Sequence, residues 1–271
     1  LCSTHILKFE RADCPYLVLN EFFCMKLSSA VGLDTAQVQF RRFGEHPALV
    51  VKRFDRKYDA NSDRVLRRHV IDACQALDIP RDSKYERNLG DGRDVKHIRE
   101  GVSLPKLFAF SEAMTSPIES VQWLLRWQIF NLIISNYDSH GKNISYFFDQ
   151  NGARFTPTYD LVNVSMFPEF KQALSMAMGD EFDPETMNAY QFADFAETCQ
   201  LNKGLVARNL TYLGQRTLTV LENGALIDAL SKSNAFHHNE IEYLHALSHN
   251  IVNRAQHFMT QAPSIKSFSA D

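Results

Sequence analysis

Apolar positions along the first 55 residues follow two different periods. A short apolar segment at residues 3–9 is rich in β-prone side chains, and we interpret it as a strand. Residues 16–31 instead carry apolar side chains at helical spacing and are followed by Gly32, which predicts a helix with a glycine cap. Two further strands are predicted at 36–43 and 48–54. The order strand, helix, strand, strand predicts a small α/β unit.

Beyond residue 55 the pattern becomes predominantly helical. Residues 80–101 are polar and contain glycine, so we expect a loop there. One of the predicted helices, at 118–135, is apolar on nearly every face, which is typical of a helix in the middle of a domain. The predicted helices of this stretch lie at 65–77, 104–114 and 118–135.

The region after the apolar helix contains a predicted hairpin and then only helices. Two short strands between residues 144 and 157 flank the sequence Asp-Gln-Asn-Gly, in which Asn-Gly is a strong hairpin signal. From Pro184 onward we expect helices, with breaks near 202–204 and 233–239. The whole pattern is that of an α+β protein.

Length and composition narrow the class of protein. The chain has 271 residues, of which 45% are hydrophobic and 23% charged, and these values are ordinary for globular proteins. The change of pattern divides it into a small α/β lobe at residues 1–55 and a larger, mainly helical lobe at residues 56–271. The formal net charge of −3 supplies no bulk attraction to nucleic acid or anionic membrane. We therefore expect DNA association only through a partner.

Cysteine usage and the lack of a long apolar run indicate a cytoplasmic protein. The cysteines are odd in number, scattered and without a C-x-x-C motif, so we expect reduced thiols rather than disulfides or a zinc site. The most apolar run, residues 121–135, is interrupted by Arg126 and Gln128 and is shorter than the roughly 20 residues that a membrane span needs. We therefore expect no membrane partner. The cysteines are Cys2, Cys14, Cys24, Cys74 and Cys199.

The densest cluster of polar residues lies between the apolar helix and the hairpin. Residues 135–143 read Ser-Asn-Tyr-Asp-Ser-His-Gly-Lys-Asn. Asp138 and Asn143 are five positions apart, as are the base and the metal-binding amide of a kinase catalytic loop. Past the hairpin, Asp160 follows where a kinase carries its magnesium-binding carboxylate. This order of residues predicts a site for phosphoryl transfer.

The residue types match what phosphoryl transfer requires. Asp138 is the candidate base for the proton of the incoming hydroxyl, while Asn143 and Asp160 offer the oxygen ligands that Mg²⁺ prefers. Lys8, at the end of the first strand, is the candidate cation for the phosphates of ATP. Glu21, on the following helix, can form with Lys8 the ion pair that active kinases need. Each residue alone could have an ordinary structural role, so the hypothesis depends on their occurrence together in kinase order.

Longer stretches of the chain resemble the HipA-like toxin kinases of bacterial toxin–antitoxin modules. The resemblance extends from residue 3 to residue 160 and involves several stretches rather than one motif. The matching stretches are 3–8, 20–25, 49–56, 72–77, 84–86, 136–143 and 156–160.

The resemblance implies a two-lobed, protein-kinase-like fold of the HipA type with Ser/Thr protein kinase activity. ATP and Mg²⁺ would bind between the lobes. The interlobe hinge would lie at residues 52–54, with the backbone of Lys52 and Phe54 facing the adenine. Asp55 would lie near the ribose and His140 near the phosphates.

The resemblance also implies partners. The protein substrate would be an aminoacyl-tRNA synthetase, whose phosphorylation blocks charging and arrests growth. A DNA-binding antitoxin would be the second partner, and the complex would repress its own promoter through it.

Two features depart from the family pattern. The family carries a Gly/Ser-containing phosphate loop, with an autophosphorylated serine, upstream of the strand lysine, whereas this sequence begins at Leu1, so we expect the loop to be lacking. The family commonly has His-Gln-Glu-Asp where residues 69–72 read His-Val-Ile-Asp, so a nucleotide or metal role for that segment is in question. Two alternatives stay open: a small-molecule phosphotransferase, and a non-catalytic module that docks an antitoxin or repressor.

Overall fold

A three-stranded antiparallel sheet and one helix form the first part of the molecule. The computed structural model describes residues 3–232 and 236–268. Strand β3 lies between β1 and β2, and Lys8 on β1 pairs with Leu49 on β3. All four predicted elements are confirmed: the first three are shorter than predicted, and the strand predicted at 48–54 lies two residues earlier. They are β1 (His5–Phe9), α1 (Leu17–Ala30), β2 (Val38–Phe43) and β3 (His46–Lys52).

The prediction of a helix at 65–77 is wrong. Its first half is two strands, and α2 begins only after Asp72, whose side chain accepts a hydrogen bond from the Gln75 backbone N–H and caps the helix. The strands form because they pair with other segments: β5 with the adjacent β4, and β6 with β7, where Ile71 faces Tyr146. Such pairing overrides local periodicity. The elements are β4 (Arg56–Asp59), β5 (Arg64–Arg67), β6 (Val70–Asp72) and α2 (Ala73–Ala76).

The remaining elements follow the predicted order. The hairpin of β7 and β8 is confirmed and joins β6 in a second three-stranded sheet. Helices follow as predicted, with one further break at residues 222–224. A break was also predicted at 233–239, of which residues 233–235 lie outside the described residues. The elements are α3 (Leu104–Glu112), α4 (Pro117–Ile133), β7 (Ser145–Asp149), β8 (Gly152–Phe155), α5 (Ala189–Thr198), α6 (Lys203–Leu221), α7 (Ala225–Ser231) and α8 (His238–Gln261).

Helix α4 is buried in the core, as its apolar surface predicts. Trp127, Ile129 and Phe130 are fully or almost fully buried. The helix ends at Ile133, and Ser135 takes a left-handed backbone conformation (φ 56°) that turns the chain into the polar loop 135–143. The polar loop therefore begins directly at the end of a buried helix.

The long loop at 80–101 contains one short 3-10 turn and contacts the loop 135–143, where Gly141 donates its backbone N–H to the Lys84 carbonyl. Glu86 donates its backbone N–H to the Ser175 carbonyl, and its carboxylate accepts from the Arg99 guanidinium. Gly101 lies so close to the carbonyl of Tyr85 that an added Cβ would overlap it, at 1.8 Å. The loop is thus held in one conformation, although its sequence shows no periodicity.

The two predicted lobes share one continuous core. Helix α1 packs against α8 as well as against β2 and β3, and Thr35 forms an isolated parallel bridge with Thr158. The boundary at residue 55 therefore stays a prediction, although β3 ends close to it. No helix within 3–232 or 236–268 is long and apolar enough to cross a membrane. The four described cysteines are free and buried, and Cys2 lies outside the described residues.

Candidate active site

The ammonium group of Lys8 lies between two carboxylates. Strand β1 places Lys8 so that its Nζ is 2.7 Å from Oε1 of Glu21 on α1 and 2.5 Å from Oδ1 of Asp160. Glu21 is buried, whereas Lys8 and Asp160 remain partly accessible. The structure thus brings together three of the residues that the sequence analysis selected.

Burial and charge pull against each other in this cluster. Burial alone would lower the pKa of Lys8, but the carboxylates of Glu21 and Asp160 outweigh it and raise that pKa above its ordinary value. Burial raises the pKa of Glu21 to about 7, and the opposing effect of Lys8 only partly offsets it. The pairing of Glu21 with Lys8 is therefore sensitive to pH near neutrality.

Asp160 has a backbone conformation that non-glycine residues rarely adopt. Its φ is 59°, in the left-handed region, and such conformations persist only where the surroundings hold them. Lys8 holds its side chain, and Asn136 Nδ2 is 3.4 Å from its carbonyl oxygen. The carboxylate of Asp160 is therefore fixed beside Lys8.

Asp138, the candidate base, is held at two points. Asn143 Nδ2 donates to the carbonyl of Asp138 at 3.1 Å, and the hydroxyl of Tyr85 donates to Asp138 Oδ1 at 2.8 Å. Tyr85 was missed as a site residue. The only signal for it in the sequence was that residues 84–86 belong to a stretch resembling the family, with no chemical role attached.

His140 contacts the loop 80–101 rather than open space. Its Nε2 is 2.8 Å from Lys84 Nζ, and its ring packs edge-on against Tyr85. Burial lowers the pKa of His140, and the Lys84 ammonium lowers it further, against the opposing effect of the Asp138 carboxylate. His140 is not among the described residues that line the two cavities below. Its place near the phosphates stays a prediction.

A cavity of about 240 Å³ lies beside β3. Phe54 and Tyr159 form part of its wall, with ring centroids 5.6 Å apart, and Val70 forms another part. Val70 is one of the departures from the family sequence and contributes only apolar surface. Residues 52–54, the hinge that the resemblance implies, all line this cavity, and so does Asp55, which the resemblance places near the ribose.

Asp55 at the mouth of this cavity is already paired. Arg53 Nε donates to its Oδ1 at 2.9 Å, and Arg56 pairs with its Oδ2. The hydrogen bond from Arg53 is the main cause that lowers the pKa of Asp55, so the carboxylate is ionised and oriented. It can accept a hydrogen bond from a ligand hydroxyl.

A second, larger cavity of about 740 Å³ adjoins the first. Lys8, Glu21 and Asp160 line both cavities. Asp138 and Asn143 line the larger one, so the five residues predicted to carry phosphoryl transfer surround one space.

Asn143 and Asp160 present oxygen atoms that fit a hard divalent cation. Nδ2 of Asn143 donates to the carbonyl of Asp138, and Oδ1 of Asp160 accepts from Nζ of Lys8. Oδ1 of Asn143 and Oδ2 of Asp160 accept no hydrogen bond from a described residue. No group of three or more His, Cys, Asp or Glu residues in the described part of the chain could hold a metal, so such a cation would also need ligands from the nucleotide.

The fold and this arrangement define a two-lobed, protein-kinase-like protein. A family profile described as the HipA-like C-terminal domain matches residues 1–220. The chain belongs to this family, as the sequence resemblance predicted.

A named relative supports the assignment. The chain is 47% identical, over 216 residues, to the Ser/Thr-protein kinase toxin HipA of Shewanella oneidensis, and the match covers 80% of this chain. It covers only 49% of that relative, so the chain spans about half its length.

Two solved structures share the fold. The complex of Shewanella oneidensis HipA with HipB and operator DNA contains a chain that matches all of this one, with a TM-score of 0.93 and 39% identity, over 62% of its own length. The Helicobacter pylori proinflammatory kinase CtkA matches 97% of this chain and 88% of its own, with a TM-score of 0.63. At 11% identity, CtkA shows similarity of fold alone.

Proposed function

We propose that this protein acts as an ATP- and Mg²⁺-dependent Ser/Thr protein kinase toxin. The observation that supports it most is the position of Lys8 between Glu21 and Asp160, in a cavity that Asp138 and Asn143 also line. The Shewanella relative that bears the name of such a toxin adds support. Because the chain covers about half of that relative, the activity is a proposal for this chain.

The proposed reaction transfers the γ-phosphoryl group of ATP to a serine or threonine. The substrate hydroxyl gives its proton to Asp138 while its oxygen attacks the γ-phosphorus, the bond to the bridging oxygen breaks, and ADP leaves. Lys8 would hold the phosphates, and Glu21 would hold Lys8. Asn143 and Asp160 would bind Mg²⁺, which would offset the negative charge of the phosphates.

The smaller cavity would take the nucleoside of ATP. Lys52 and Phe54 would meet the adenine through their backbone, and Asp55 would accept from a ribose hydroxyl. The apolar wall of Phe54 and Val70 suits a flat aromatic base. His140 would act near the phosphates together with Lys84.

We further propose the partners that the family resemblance implied. The relative of known structure is in complex with HipB and operator DNA, which favours an antitoxin partner and indirect DNA contact here. An aminoacyl-tRNA synthetase is the proposed substrate, and the cytoplasm the proposed location. A protein kinase acting on translation would arrest growth.

The test is transfer of labelled γ-phosphate in a cell lysate by the natural full-length protein and its Asp138→Asn variant. Mass spectrometry should find phosphoserine or phosphothreonine on an aminoacyl-tRNA synthetase with the natural protein and not with the variant. Label in a metabolite fraction would favour a small-molecule phosphotransferase. Failure to bind ATP would favour the non-catalytic module.

A further inference from the structure

The side-chain amide of Asn20 is fully buried beside the candidate site. Its Nδ2 donates to the carbonyl of Asn163 at 3.1 Å and to the hydroxyl of Tyr243 at 2.8 Å. Its Oδ1 accepts the backbone N–H of Asn163 at 2.7 Å. Both N–H donors of the amide are therefore satisfied. The Asn20 side chain also bonds both the backbone carbonyl and the backbone N–H of Asn163.

Asn163 extends this hydrogen-bond network to α8. It is itself fully buried, and its Nδ2 donates to Asn250 Oδ1 on α8 at 2.8 Å. Ser165 donates to Asn163 Oδ1 at 2.7 Å. The amides of Asn20 and Asn163 thus join three segments: α1, the segment that follows Asp160, and α8.

Asn20 and Glu21 are neighbours on α1 and point about 100° apart around the helix axis. Glu21 reaches Lys8, while Asn20 reaches a residue only three positions after Asp160. A movement of α1 that withdrew Glu21 from Lys8 would also break the bonds of Asn20, leaving buried backbone groups without partners. The two contacts hold α1 in a single position.

We propose that Asn20 is a positioning residue, which fixes α1 to the segment after Asp160 so that Glu21 and Asp160 reach Lys8 together. The inference rests on the proposed kinase function, because it assigns to Asn20 an effect on the same phosphate-binding cluster. Asn20 touches neither cavity among the described lining residues, so it acts through Glu21 and Asp160.

Two other contacts support the same fixation of α1 and its neighbouring sheet. Tyr243 stacks on Tyr16, the residue before α1, with ring centroids 4.6 Å apart. Arg42 on β2 forms an ion pair with the buried Glu240 on α8. Among the contacts described in this subsection, those of Asn20 also reach the segment after Asp160.

The test compares Mg²⁺–ATP with adenosine as ligands of the natural full-length protein. Asn20→Ala should weaken Mg²⁺–ATP binding at least tenfold and lower kcat, because Glu21 and Asp160 lose their common support. Adenosine binding should change much less, because adenosine carries no phosphates for Lys8 to hold and is bound through Lys52, Phe54 and Asp55. Tyr243→Phe removes one acceptor of the network but keeps the ring, and it should give a smaller change of the same kind.

Asn209→Ala is the matched control. Asn209 is a buried amide on α6 that bonds Gln122 and the Leu205 carbonyl, away from both cavities. It should lower thermal stability as Asn20→Ala does and leave Mg²⁺–ATP affinity unchanged. Equal loss of adenosine and Mg²⁺–ATP binding in Asn20→Ala, or no loss of either, would overturn the proposal.

Hydrogen exchange provides a readout that does not depend on activity. The amide of Asn163 should exchange faster in Asn20→Ala and at the normal rate in Asn209→Ala, because Asn20 Oδ1 is its acceptor. If the natural protein transfers no phosphate, the proposed function fails, and the exchange result still decides whether Asn20 holds the Asp160 segment. An unchanged exchange rate at the Asn163 amide in Asn20→Ala would refute the proposal that Asn20 holds the segment after Asp160.

Discussion

The hydroxyl of Tyr85 donates a hydrogen bond of 2.8 Å to Oδ1 of Asp138. Asn143 holds the backbone carbonyl of the same residue. The carboxylate and the main chain of the candidate base are therefore fixed by different segments, and no described residue donates to Oδ2. This oxygen is the one available to a substrate hydroxyl.

Replacing Tyr85 with Phe should lower kcat for phosphotransfer about 2- to 10-fold, which corresponds to one ordinary hydrogen bond. ATP affinity should stay unchanged, because Tyr85 lines only the larger cavity. Steady-state kinetics would measure both. Tyr58→Phe is the matched control, since Tyr58 donates to Asp63 on an exposed hairpin. An equal effect of the two substitutions would contradict a role for Tyr85.

Replacing Asp138 with Asn should reduce phosphotransfer by about 10²- to 10⁴-fold, because the substrate hydroxyl loses its proton acceptor. The fold and nucleotide binding should remain, since the amide preserves the shape of the side chain. Transfer of labelled phosphate and calorimetric titration with ATP check the two statements. Asp149→Asn, at the exposed end of β7, serves as the control. Undiminished phosphorylation by the Asp138 variant would remove Asp138 as the base.

Replacing Asp160 with Ala should weaken ATP binding about 10- to 100-fold in the presence of Mg²⁺, as expected when a charged contact is lost. The loss should be much smaller without Mg²⁺, because the proposed contacts of Lys52, Phe54 and Asp55 with the nucleoside do not depend on the metal. Titration with ATP with and without the metal gives the comparison. Asp160 is not a metal ligand if the variant binds ATP as tightly as the natural protein does, both with Mg²⁺ and without it.

Mg²⁺–ATP binding and phosphotransfer should rise as pH increases through about 7. Burial raises the pKa of Glu21 to about 7, so below that pH the carboxyl is protonated and no longer pairs as an anion with Lys8. The folded state then binds this proton more tightly than the unfolded chain, so the same group lowers stability as pH rises from its ordinary pKa of 4.5 to about 7. Glu21→Gln should abolish this step in a pH profile. A step retained in the variant would assign it to another group.

Replacing Ile129 with Ala should lower the free energy of unfolding by about 2–5 kcal/mol, because a fully buried side chain of α4 leaves a cavity. Urea unfolding followed by circular dichroism measures the change. Ile118→Ala on the same helix is the control, since Ile118 is 86% exposed and should change stability by less than about 0.5 kcal/mol. A similar loss in both variants would argue against α4 as the centre of the core.

Elements with strong local signals could be predicted from the sequence. Helix α1 shows helical spacing of apolar residues, α4 is a long segment that is apolar on nearly every face, and the β7–β8 hairpin has an Asn-Gly turn, so neighbouring residues alone indicate these elements. The segment 65–77 was assigned wrongly because β6 exists through its pairing with β7, more than 70 positions along the chain. Local spacing carries no information about such a partner.

The same contrast between local signals and long-range contacts applies to the candidate site. The amino-acid sequence by itself determined the family and the order of the polar residues, since Lys8, Glu21, Asp138, Asn143 and Asp160 could be selected from spacing and neighbours. Only the tertiary structure decided which groups support them. Tyr85 lies 53 positions from Asp138, and Asn20 lies 143 positions from Asn163. Contacts over such separations depend on how the core packs the loops and helices together, and packing is a property of the whole chain.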